Sequence, residues 1–200
     1  MRIAVPISMT ALAILLLATL ALAGPLEEGE AAWKRGDYAA ALTLLEPLAE
    51  RGNAEAQATL GIMYDNGQGV EMDHVLAVAW YTKAAAQGYA HAEYDLGLKY
   101  SAGQGVPQDD ASAVFWFRRA ADHGDPEAMY RLGNAYELGK GAPMDFVQAY
   151  AWYDRAISHF PPDWTVSRDR AVADRAAIAA RLTPEQLQSA QQSVREWKPK

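Results

Sequence analysis

Cysteine is absent from the 200 residues. That excludes disulfides, thiolate metal ligands and a lipid anchored on an N-terminal cysteine, so packing alone must hold the fold. Basic residues are also scarce, 18 against 25 acidic, for a formal net charge of −7. They are scattered rather than gathered on one stripe, which argues against a nucleic-acid groove. Histidine occurs four times, at 74, 91, 123 and 159. No HExxH pairing accompanies them, and the reading is no metal site, no cofactor and no catalytic residue, with His91 and His123 exposed in turns. Phosphate-binding motifs are missing too, because GQGVPQDD lacks the GK[ST] ending and follows a helical pattern. No nucleophile elbow is present.

Long apolar runs are missing beyond the first residues. There Arg2 precedes the apolar stretch from Thr10, and Ala21-Leu22-Ala23 offers a small-x-small cleavage pattern. Residues 1–23 read as a signal peptide cut after Ala23, giving a periplasmic or secreted chain with no stable membrane insertion after cleavage.

What the chain has in abundance is glycine, in a repeating pattern. LGIMYDNGQGV at 60–70, LGLKYSAGQGV at 96–106 and LGNAYELGKGA at 132–142 are separated by 36 residues. Full copies span 52–87, 88–123 and 124–159. In each, Ala56, Leu60, Gly61, Tyr64 and their counterparts fall on one helical face. Ala77, Trp80, Tyr81, Ala84, Ala85 and theirs make a second stripe. Each copy is therefore a helix, a glycine loop and a second helix, stacked because one hairpin cannot bury its own apolar face.

Gly61, Gly97 and Gly133 stand inside the first helices, where glycine costs about 1 kcal/mol relative to alanine. Close approach of an aromatic ring is the expected reason. Trp80, Trp116 and Trp152 are expected in the core, and Gln57 on the exposed side. Residues 24–51 read as a divergent capping copy that matches the second helix. Residues 161–200 read as capping helices, the last starting at Pro184 behind an N-cap at Thr183.

The pattern A-x-A-x-x-x-L-G-x-x-Y-x-x-G-x-G-V followed by A-x-x-W-[YF]-x-x-A-A resembles the Sel1-like repeat, a relative of the tetratricopeptide repeat. The resemblance implies an all-α fold, an α/α superhelical solenoid. It also implies a non-enzymatic adaptor that holds a protein or peptide partner in the groove lined by the first helices. On that side lie Ile62, Tyr94, Asp95, Leu98, Tyr130, Arg131, Asn134 and Glu137, the candidate contacts. A cell-wall or lactam hydrolase is the alternative, by analogy with cysteine-rich relatives from which this chain departs.

Overall fold

The computed structural model describes residues 24–199; the expected signal peptide, residues 1–23, lies outside them. The described residues form ten helices and no strand: α1 (Pro25–Lys34), α2 (Tyr38–Glu50), α3 (Ala54–Asn66), α4 (His74–Ala85), α5 (Ala90–Ala102), α6 (Asp110–Asp122), α7 (Pro126–Leu138), α8 (Phe146–His159), α9 (Thr165–Ala179) and α10 (Pro184–Glu196). Up to α8, each helix packs on its neighbours in chain order, and α9 and α10 both close over α8. Such nearest-neighbour packing is what a linear repeat array requires.

The boundaries follow from local chemistry. Asp73, Asp109 and Asp145 cap α4, α6 and α8, each accepting a backbone N–H of the first turn. That satisfies donors with no partner inside the helix and places negative charge at the positive end of its dipole. Thr183 caps α10 in a reciprocal pair with Gln186, as the sequence reading placed it. The first helices α3, α5 and α7 end on Gly67, Gly103 and Gly139 in left-handed geometry.

Two glycine contacts fix how the helices meet. A Cβ built on Gly97 would lie 2.4 Å from two ring carbons of Phe117, and the same relation joins Gly61 to Tyr81 and Gly133 to Tyr153. The absent side chain is the room the ring occupies. Gly141 has φ +72, and a Cβ there would come within 2.0 Å of the Asp110 carbonyl oxygen. The loop of one copy thus sits directly on the start of the second helix of the preceding copy, which only glycine permits.

The same relation extends the pattern beyond the sequence reading. Gly29 lies against Leu45 as Gly97 lies against Phe117, so α1 and α2 form a complete hairpin of the same plan with a shorter loop, not a second helix alone.

Three expectations need correction. Trp152 is 1% exposed, but Trp80 and Trp116 are only half-buried. They pack on cores shared by the preceding copy and the first helix of their own, and Lys83 and Arg119 lie over their rings. Trp152 differs because Trp197 covers it edge-on at 5.9 Å. Gln57 is 4% exposed. Its amide donates to the Ala49 carbonyl and accepts from Gln87, both at 2.9 Å, so it belongs to the contact between copies. Finally, His123 is not a free turn histidine. It pairs at 2.7 Å with Glu93, whose carboxylate is wholly buried.

Candidate functional site

The candidate contacts lie on α3, α5 and α7. Ile62 and Leu98 are half-buried against core clusters. Tyr130 is 8% exposed and donates its hydroxyl proton to Asp174 on α9 at 2.7 Å. Burial, reinforced by that carboxylate, pushes its pKa up to about 12. The C-terminal cap has therefore taken up Tyr130, which the sequence could not show because Asp174 is 44 residues away. Asn134 Oδ1 and Glu137 Oε2 flank the Tyr153 hydroxyl at 2.7 and 2.5 Å. Tyr94 lies tilted against Phe117 at 5.9 Å, and burial raises its pKa, opposed by the nearby Arg131. Arg131 itself is exposed.

Geometry differs at the two junctions between full copies. At the first, between 52–87 and 88–123, Lys99 runs inward and its ammonium donates to Asp65 at 2.6 and 2.5 Å and to Gln104 at 3.0 Å. His74 sits 2.6 Å from the same Asp65. Asp95 lies beside this group, with His91 at 3.9 Å. Burial, opposed by His91 and helped by Asp65, pushes its carboxyl up to about 6. This junction carries its own cation, set among acids and filling the space.

At a shift of 36 residues, the second junction has Ser101 for Asp65, Asp110 for His74, Arg131 for Asp95, Ala135 for Lys99 and Lys140 for Gln104. The long lysine has become a methyl group. A cavity of about 360 Å³ opens there, with Ala113, Val114, Phe117, Ala135 and Leu138 as apolar wall and Ser101, Asp110, Arg131, Asn134 and Lys140 as polar wall. Of the candidate contacts, Arg131 and Asn134 meet at this cavity. Asp110, Val114, Leu138 and Lys140 were missed. The signal for them was available in the comparison of Met63, Lys99 and Ala135 across copies, a loss of side-chain volume at one position.

The raised Asp95 carboxyl makes a stability prediction. Its ordinary value is 3.8, so between about pH 4 and 6 the folded chain holds a proton that the unfolded chain has released. The contribution is full below that window and is lost as pH rises through about 6. Asp95→Asn is expected to flatten urea stability between pH 4 and 6 and to add roughly 1 kcal/mol at pH 7. That is less than the full conversion at about 1.4 kcal/mol per pH unit, because the side chain keeps 14% exposure. An unchanged pH dependence would refute the assignment.

Comparison with known proteins gives one family and a fold. A family model described as Sel1 repeat matches residues 54–89, 90–125 and 126–159. A crystal structure of a Sel1 repeat protein from Oxalobacter formigenes is 35% identical, with TM-score 0.70, over 76% of this chain and 58% of that one. The crystal structure of c5321, a protective antigen in uropathogenic Escherichia coli strains displaying an SLR fold, is 35% identical, with TM-score 0.69, over 78% of this chain and 32% of that one. The chain thus spans about half and a third of the length of these two proteins. No curated protein matches it.

Proposed function

The chain belongs to the Sel1 repeat family, and from that premise we propose that it is a non-enzymatic scaffold which binds a protein or peptide segment on the face of its first helices. The observation that carries this reading is the cavity at the second junction. It is open, its wall is part apolar and part polar, and no side chain among the described residues fills it, whereas the equivalent space at the first junction is filled by Lys99. Concave sites with a few convergent polar groups are where ligands bind. The apolar stretch after Thr10 and the Ala21-Leu22-Ala23 pattern support export to the cell envelope.

A photo-crosslinking amino acid at Leu138, 59% exposed on the cavity rim, tests the reading in living cells. The expected product is a discrete adduct with a second protein. The same group at Phe115, which is exposed but outside the cavity, should give none. Absence of an adduct at Leu138, or identical products from both positions, would overturn the scaffold assignment.

A further inference from the structure

The two junctions are built on one plan with opposite charge. At the first, two acids, Asp65 and Asp95, face a cation that the chain itself supplies, and Lys99 reaches Asp65 at 2.5 Å. At the second, the wall position of Asp95 is Arg131 and that of Gln104 is Lys140, while the position that supplied the counter-ion is Ala135. The wall has changed sign and the internal counter-ion has been deleted. Asp110 is the single acid on the wall. The Lys140 ammonium makes no hydrogen bond or ion pair among the described residues. Arg131 lies close enough to Tyr94 to act on its hydroxyl electrostatically, and its five N–H donors leave it able to meet a ligand.

We infer that the second junction takes the side-chain carboxylate of an acidic segment on a partner protein, the segment standing in for the counter-ion that Lys99 provides, with inverted sign, one copy earlier. This rests on the scaffold reading and names the partner's chemistry. The apolar wall formed by Val114, Ala135 and Leu138 would receive the methylene stem of the acid or an adjoining aliphatic residue. A basic side chain would meet Arg131 and Lys140 and be repelled. Charge at the mouth therefore selects the sign of the partner, although the chain as a whole carries net charge −7.

The test is peptide display on the full chain. A library of random twelve-residue peptides fused through their C-termini is selected on the protein and counter-selected on Ala135→Lys, which restores the first junction's lysine and fills the cavity. Enriched peptides are expected to share a glutamate or aspartate beside an aliphatic residue. They should lose about tenfold or more in affinity on Arg131→Glu or when the acid is changed to its amide, the size expected for one charge-assisted bond. Should Ala135→Lys fail to fold, Arg131→Glu, an exposed site, serves for the counter-selection.

Peptides that depend on the cavity but lack an acid, or ignore Arg131→Glu, would overturn the charge assignment and leave the scaffold reading standing. Enrichment only from a parallel library with free C-termini would move the site to a chain terminus and overturn the side-chain assignment. No cavity-dependent peptide at all would remove the cavity as a site, and the Leu138 crosslink then decides the scaffold reading by itself.

Discussion

Gly97→Leu is expected to lower the unfolding free energy by about 3 kcal/mol, the upper part of the range for overpacking a well-filled core. For a domain of this size that is a fall in melting temperature of about 6 to 12 °C. The argument starts with a cost the wild type already bears. A glycine inside a helix sacrifices about 1 kcal/mol relative to alanine, so adding any side chain would help if there were room. There is none, since even a lone Cβ would sit 2.4 Å from Phe117 ring carbons that are themselves buried. Tyr94 on α5 lies against the Phe117 ring and blocks that side, so what room the ring has to yield lies toward the second-junction cavity, which it partly lines.

Two controls separate this mechanism from general fragility. Ala177→Leu, at an exposed position within α9, should stay within about 0.5 kcal/mol of the wild type. In the Gly97→Ala/Phe117→Ala double variant, the small side chain at 117 makes room for the new methyl. The penalty of Gly97→Ala should then shrink or change sign, a coupling that a double-mutant cycle reads directly. Additive effects would show that the ring contact is not the reason for the glycine.

This contact was legible from the sequence because it lies within one 36-residue period and recurs. Three glycines in helix interiors, each 20 residues before an aromatic side chain, leave close approach as the economical explanation. The hairpin order, the glycine helix ends and the Thr183 cap were legible for the same reason, being set by residues near one another in the chain. What escaped was set across copies. Gln57 looked exposed because its partners, Ala49 on α2 and Gln87 in the turn after α4, lie elsewhere in the array. Tyr130 looked like a groove residue because α9 carries no repeat signal that would bring Asp174 over it. The cavity was invisible for a subtler reason. It is a missing volume, and a pattern search registers the residues a copy shares, whereas Ala135 matters for what it no longer supplies.

The same dependence between copies sets the second large effect. Arg119→Met is expected to cost about 2 to 3 kcal/mol, measured by urea unfolding at neutral pH. Glu93 has no solvent exposure, and its carboxylate is held by Arg119 at 2.8 Å and His123 at 2.7 Å. Removing one partner of a buried ion pair strands the other charge, typically at 3 to 5 kcal/mol. The lower figure applies here because His123 remains and because the Arg119 side chain is 36% exposed. Arg119 also donates to the Ala85 carbonyl at the end of α4 at 3.2 Å, joining α6 to the preceding copy.

One copy earlier the same positions hold Gln57, Lys83 and Gln87, and the two glutamines make a neutral bridge to Ala49. Transplanting that set as Glu93→Gln, Arg119→Lys and His123→Gln should therefore remain within about 1 kcal/mol of the wild type. It removes the buried carboxylate, so no buried charge is stranded, and the lysine left at 119 copies Lys83, which lies over the Trp80 ring at 3.6 Å. A severe loss in the triple variant, matching that of Arg119→Met, would mean that the array needs the ion pair itself. A mild one would mean that it needs only a satisfied polar link between copies, with the charge at Glu93 left free to vary from one junction to the next.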